Sequence, residues 1–273
     1  MPFTLAHPAA VLPFLRQPFV PIALVAGAMA PDVPYFLKIP TASGSWYESL
    51  VNGSNSHDLA QILTVGFPLS LLLAAVLWLV AQPVRWAVPD AWVPAKAGIR
   101  GRRPSSARIA LWTFYSLILG LVTHIVWDSF THSYGWVVQK LPFLAAQPIA
   151  GVPIYRILQH GSTLAGLAIL AFWYLKRVKA APVPERGGKA KGAGLRLTLL
   201  LSALAIPALA VAGFAVAGEL SIGTAFTPET FLWTSITHGG AALAVALVVY
   251  AIVWHAVTVA KKLRVAAGSG TQA

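Results

Sequence analysis

Residues Thr123 to His132 read THIVWDSFTH. His124, Asp128 and His132 recur every fourth residue. At about 100° per residue, each step of four turns a helical side chain by only ~40°, so all three share one stripe of a helix. Two imidazoles and a carboxylate on one stripe suit a hard or borderline divalent ion such as zinc. Hydrogen bonding to neighbouring helices is the competing use of such groups.

The rest of the chain limits the chemistry open to this stripe. There is no cysteine, so thiolate sites and cysteine nucleophiles are excluded, and any metal is held by His, Asp, Glu or backbone groups. Ser129, Thr131, Ser133 and Ser162 lie near the stripe, but no Ser–His–Asp arrangement is evident. The glycines are scattered and form no phosphate-binding loop. Seven histidines and eight acids are present. His7, Asp32, His57, Asp58 and His160 join the stripe as candidates, because each lies at an end of an apolar segment. Trp127 and Tyr134 flank the motif and suit either a groove wall or ordinary packing.

The elements that must position these residues are membrane helices. Apolar residues make up 57% of the chain and charged residues only 10%, against about 25% charged in a soluble domain. Five segments, 60–81, 108–130, 156–175, 196–217 and 231–258, each offer the ~20 apolar residues that a span needs. Two shorter apolar stretches, 5–15 and 19–30, flank Arg16, Gln17 and Pro18 and read as a hairpin that enters the membrane and returns. The expected fold is thus an all-α integral membrane protein with five transmembrane helices plus an N-terminal re-entrant helical hairpin over 1–31. Residues 1–262 form a single membrane-embedded domain, with basic cytoplasmic loops at 82–107 and 180–195 and a disordered tail at 263–273. The start of the chain lacks the basic region and cleavage site of a removable signal peptide.

The net charge of +12 does not point to nucleic acid. Six of the 20 basic residues lie in 82–108, seven in 176–196, and three are Lys261, Lys262 and Arg264. Three separate basic loops are what cytoplasmic loops collect. That orients the chain with these loops and the C-terminus in the cytoplasm. His7, Asp32, His57, Asp58, His124, Asp128, His132 and His160 then all fall at the outer face. Ionisable groups inside a membrane are costly and mark functional sites, and basic-residue counting is independent of where histidines sit. His238 lies in the outer half of the last span, whereas His255 lies near the cytoplasmic end and reads as structural.

The opening MPFTLAHPAA followed by LVAGAMAPDVPYFL resembles an uncharacterised bacterial family of multi-pass membrane proteins related to LexA-regulated inner-membrane metal-dependent hydrolases. The ligand order is similar to that of the zinc-dependent phospholipase C and single-strand nuclease superfamily. That resemblance implies metal ligands His7, Asp32, His57, His124, Asp128, His132 and His160, with Asp128 bridging two ions and one or two zinc ions bound. The final acid of the pattern is Leu164 here, which argues against a third ion. An N-terminal amine ligand would be the Pro2 imino group after loss of Met1.

The expected function is a metal-dependent hydrolase of phosphoester bonds, with lipid head groups as one substrate class, at the outer face of a bacterial inner membrane. Metal-activated water would attack, with Asp58 or Asp128 as general base. Its partners are the lipid bilayer and a phospholipid or other phosphoester, not nucleic acid. The alternative is a metal-ion or small-solute transporter that uses the same His/Asp cluster.

Overall fold

The computed structural model describes residues 4–37, 44–93, 105–149, 151–180, 192–222 and 227–269. Pro2, and residues 94–104 and 181–191 of the two basic loops, lie outside these residues. The chain begins with the short helix α1 (Pro8–Val11), then α2 (Pro21–Met29) and α3 (Val33–Phe36). Helices α4 (Glu48–Val51) and α5 (Gly53–Ser56) precede the long α6 (Phe67–Ala87), entered through a wide turn over Ile62–Gly66. Then come α7 (Ser106–Thr131), α8 (Trp136–Lys140), α9 (Ile154–Lys179), α10 (Ala193–Ser221) and α11 (Pro228–Ser269). The described residues contain no strand, only an isolated bridge between Ile149 and Val152.

Four helical segments are long and apolar enough to cross a membrane: Leu59–Ala87, Ser106–Thr131, Ala193–Ser221 and Pro228–Val265. They coincide with four of the five expected spans. The other expected span, 156–175, falls within the 26-residue α9. Its first turns carry Arg156, Gln159, His160, Ser162 and Thr163, which dilute its apolar character. Helix α11 continues to Ser269, through residues expected to begin a disordered tail at 263. The segment AKKLRVAA consists largely of strong helix formers, so nothing local stops the helix there.

Contacts divide the described residues into two compact units, where the sequence suggests one embedded domain. The first holds 1–77 and 94–181, and every residue of the candidate site lies in it. Its centre is the pairing of α2 with α7. A Cβ added at Gly120 would lie 2.5 Å from the Leu24 carbonyl oxygen and 2.8 Å from Gly27 Cα. Only a pair of glycines lets two backbones approach this closely. Ala23, Leu24, Ala26, Ala28, Leu117 and Leu121 are fully buried around the crossing. The N-terminal arm is a broken helix because Pro8 and Pro13 interrupt it, yet it packs Val11 onto Leu24 and Ala28. Helix α9 closes on this arm at Gly166, where an added Cβ would lie 3.1 Å from Ala6 and 3.4 Å from Trp127.

The second unit holds 78–93 and 182–273. Helices α10 and α11 meet at Gly239, where an added Cβ would lie 3.2 Å from both the Ala208 carbonyl oxygen and the Ala212 side chain. His255 Nε2–H donates to the Leu79 carbonyl at 3.0 Å, the structural role expected for it. His238 Nδ1–H donates to the Thr234 carbonyl one turn back at 3.0 Å. Most large apolar side chains of both helices are exposed, as befits surfaces that face lipid rather than water.

Candidate metal centre

His124 and Asp128 on α7 and His132, the extended residue that ends it, are buried, at 0%, 4% and 8% exposed. One turn beyond the Gly120 crossing, His124 Nδ1–H donates to the Ala28 carbonyl at 2.8 Å. That bond fixes the tautomer and leaves Nε2 with its lone pair directed inward. Asp32 arrives from the same side. It ends the tight turn Ala30–Asp32 that follows α2 and is buried. His57 caps the C-terminus of α5, and its Nδ1–H donates to the Gly53 carbonyl at 2.7 Å. Ser56 Oγ–H donates to the Pro31 carbonyl at 2.6 Å, so α5 is tied to the turn that carries Asp32.

Four ligand atoms converge. His57 Nε2 lies 3.3 Å from Asp128 Oδ2 and 3.5 Å from Asp32 Oδ1. His124 Nε2 lies 3.3 Å from Asp128 Oδ2, 3.7 Å from Asp32 Oδ1 and 3.2 Å from His57 Nε2. The four residues can each offer one atom with all four atoms within 4.8 Å of one another. A tetrahedron with zinc–ligand bonds of ~2.1 Å has edges of about 3.4 Å. The observed separations bracket that edge. Both imidazoles donate their outer N–H to a backbone carbonyl, the arrangement by which metal-ligating histidines are oriented. Asp32 Oδ2, Asp128 Oδ1 and both nitrogens of His7 are buried without a hydrogen-bond partner. Orphaned donor and acceptor atoms of this kind are rare in proteins and call for an explanation. The donor set and its unsatisfied atoms fit a divalent cation.

Asp128 presents its two oxygens to different neighbours. Oδ2 faces His57 and His124, whereas Oδ1 lies 3.5 Å from His7 Nε2 and 3.7 Å from His132 Nδ1. His7 is buried and stacks on His124, with ring centroids 3.8 Å apart. His132 is tied more firmly to its own helix, with Nδ1 3.2 Å from the Asp128 carbonyl and Nε2 3.4 Å from Gln159 Nε2.

The structure does not bring the other two expected residues into the cluster. His160 is exposed on α9, while the preceding Gln159 is buried and reaches His132. A single residue turns a helix by about 100°, so the two cannot face the same way. Asp58 is exposed, and its Oδ1 accepts from the Ala60 N–H at 2.9 Å as the cap of a short helical turn. It stands at the mouth of a cleft of about 590 Å³, whose walls include His57, Asp128, Tyr35, Tyr134, Leu59 and Trp136. The hydroxyls near the stripe are spent on backbone: Ser129 Oγ–H donates to Val126 O at 2.6 Å, Thr131 Oγ1–H to Trp127 O at 3.3 Å and Ser162 Oγ–H to Gln159 O at 3.3 Å. None is poised as a nucleophile.

Among the described residues, every ion pair of Asp32 and Asp128 is with a histidine. Two buried carboxylates need positive charge close by. Burial pushes the Asp32 carboxyl up, but His124 and His57 outweigh it and hold it below the usual carboxylate range. Burial opposes charge on His57, yet the Asp128 and Asp32 carboxylates lift it to about 10. His7 goes the other way, lowered to about 3 by burial and by neighbouring His124, and is a neutral imidazole at physiological pH. A divalent ion answers the same demand for positive charge with neutral imidazoles throughout.

A family model described as a domain of unknown function (DUF4184) matches residues 1–252. No curated protein and no solved structure matches the chain.

Proposed function

The chain belongs to the DUF4184 family, and we propose that it is a membrane-embedded, zinc-dependent hydrolase of phosphoester bonds. The observation that carries this reading is the convergence of Asp32, His57, His124 and Asp128 on the wall of an open cleft. A structural polar network would satisfy its own members, whereas this one leaves acceptor atoms of both carboxylates unpaired. A transported ion needs a way out on the far side, and the cluster sits at one end of α7 only. In this proposal Asp32, His57, His124 and Asp128 would hold one zinc ion, and Asp128 with His7 and His132 would hold a second.

Bound zinc would lower the pKa of a water molecule and polarise a phosphoryl oxygen. The protein's part would be to fix His57 and His124 through the Gly53 and Ala28 carbonyls and to admit the phosphoester to the cleft that Asp128 lines. The water oxygen would form a new P–O bond as the P–O bond to the ester oxygen breaks; the ester oxygen would leave with a proton taken from solvent, and one water would be consumed per ester cleaved. Asp58, exposed in the wall of the cleft, would accept the proton that the attacking water gives up and pass it to solvent.

The remaining parts of the proposal rest on charge and composition. Helix α9 completes five spans, α1 and α2 form the re-entrant hairpin, and the basic loops and C-terminus face the cytoplasm of a bacterial inner membrane. The cleft then opens at the outer face, and a phospholipid head group is the substrate class within reach. Elemental analysis of the purified protein, with turnover of a chromogenic phosphodiester, tests the reading. Zinc bound at one or two per chain, with hydrolysis abolished by a chelator and restored by zinc, is expected. Protein that takes up neither zinc, manganese nor iron would overturn it.

A further inference from the structure

Two phenols stand in the cleft beside the carboxylates. Tyr35 belongs to α3, three residues after Asp32. Tyr134 lies in the turn between α7 and α8, two residues after His132. Both line the cleft with His57 and Asp128. Each ring is seated by a glycine or an imidazole. Tyr35 lies flat against Gly53, where an added Cβ would be 2.6 Å from the ring, and its centroid is 5.8 Å from that of His57. Tyr134 lies 5.1 Å from the His132 ring. The turn beneath it is closed by the Gly135 N–H, which donates to the His132 carbonyl at 2.9 Å. Gly135 also packs so closely on the Ser129 carbonyl that no side chain fits there. Close backbone packing thus fixes the segments that carry both rings.

Their chemistry fits what the metal centre lacks. A cleft lined by carboxylates repels an anionic ester unless cations and hydrogen-bond donors offset the repulsion. Among the residues at the cleft wall, Asp128 and Asp58 supply only acceptors when ionised. A phenol is a protonated donor at neutral pH, with a reference pKa near 10, so both hydroxyls can donate. We propose that Tyr35 and Tyr134 form the anion grip of this site: their O–H groups donate to a non-bridging oxygen of a tetrahedral phosphoester held at the metal centre. The grip rests on the metal reading of the Asp/His group, and it makes the preferred ligand a tetrahedral oxyanion.

Inorganic phosphate is the probe. The zinc-loaded full chain in detergent is titrated calorimetrically with phosphate, beside Tyr35→Phe, Tyr134→Phe and the double variant. Each variant is expected to keep its full zinc content and to bind phosphate roughly tenfold or more weakly, the loss expected for a hydrogen bond to a charged group. Zinc-loaded variants with wild-type phosphate affinity would overturn the grip and leave the metal centre standing. Loss of zinc in the Phe variants would also overturn it, by showing that the pair only latches the ligands in place. A wild-type chain that takes up no zinc would instead remove the proposed function and the grip together.

Discussion

His124 and Ala28, 96 residues apart, are joined by a 2.8 Å hydrogen bond from the imidazole Nδ1 to the backbone carbonyl. The bond exists because Gly27 and Gly120 let α2 and α7 touch one turn earlier. It sets the ring so that Nε2 meets Asp32 Oδ1 and Asp128 Oδ2. The helix crossing is thus what assembles the candidate site. The turn carrying Asp32 begins where α2 ends, so the same crossing delivers the first carboxylate to the second.

The metal-free protein should lose stability as pH rises. His57 is raised to about 10 in the folded chain, against about 6.5 for an unperturbed histidine. A raised pKa contributes stability that is fully present below the unfolded value and is lost as pH climbs through the folded one. Thermal unfolding of the apo protein in detergent should therefore give a Tm that falls between about pH 7 and pH 10. Zinc at saturating concentration should flatten that fall, because the cation replaces the proton as the partner of the two carboxylates. It should also release protons on binding near pH 7, seen as a dependence of binding heat on buffer ionisation enthalpy. A Tm that rises with pH in the apo protein would contradict the charge balance described for this cluster.

Much of the site was legible in the sequence because it obeys a period. His124, Asp128 and His132 were found by helical spacing alone, and their shared stripe is buried. Asp32 and His57 were found because each lies where an apolar segment ends. The errors came from phase and from short loops. His160 and Gln159 differ by one residue, and no sequence pattern told which of them faces inward on α9. Asp58, next to His57 in the chain, lies outside the cluster and caps a short helical turn at the cleft. Ser56 and Tyr35 carry no spacing signal. Their positions follow from the tight turns at 30–32 and 53–56, which depend on tertiary contacts.

The orientation can be tested because the chain has no cysteine. Single cysteines in place of Ser105 and Gln147 should react with an impermeant thiol reagent from opposite sides of intact cells, Gln147→Cys from outside and Ser105→Cys only after permeabilisation. Ser105 caps α7, its Oγ accepting from the Arg108 N–H at 3.3 Å. Its loss costs about 1 kcal/mol of helix stability, too little to invert a membrane protein. Labelling of both sites from outside would remove the assignment of the cleft to the outer face.

His7 and His160 separate the first-site and second-site readings. His7 is buried with both nitrogens unpaired and faces Asp128 Oδ1, whereas His160 is exposed. His7→Ala should lower the zinc stoichiometry from two per chain to one, leaving the ion held by Asp32, His57, His124 and Asp128. His160→Ala should leave both ions and the activity unchanged. Mass spectrometry of the metal content decides between them. A loss of zinc in His160→Ala with full retention in His7→Ala would return His160 to the site and require α9 to turn by about one residue.

Asp128→Asn carries the most weight, because both halves of the proposed centre share this carboxylate. It lies 3.3 Å from His57 and His124 through one oxygen, and 3.5 Å from His7 and 3.7 Å from His132 through the other. It is the only acid in α7, so nothing on that helix can replace it. The substitution keeps the side-chain volume and removes one negative charge. Helix insertion should not suffer, since the span becomes less polar. If the carboxylate bridges two ions, the variant should lose at least one zinc and nearly all phosphodiester turnover while remaining folded. If the carboxylate is only a hydrogen-bond acceptor within a structural network, the variant should keep its metal content and its activity, with a stability loss on the order of 1 kcal/mol for a changed interhelical hydrogen bond. Far-ultraviolet circular dichroism and size-exclusion profiles establish that the variant is folded, and metal content and turnover are then read on the same sample. Wild-type zinc and wild-type turnover in folded Asp128→Asn would end the hydrolase reading, because Asp32, the other carboxylate of the cluster, pairs only with His57 and His124.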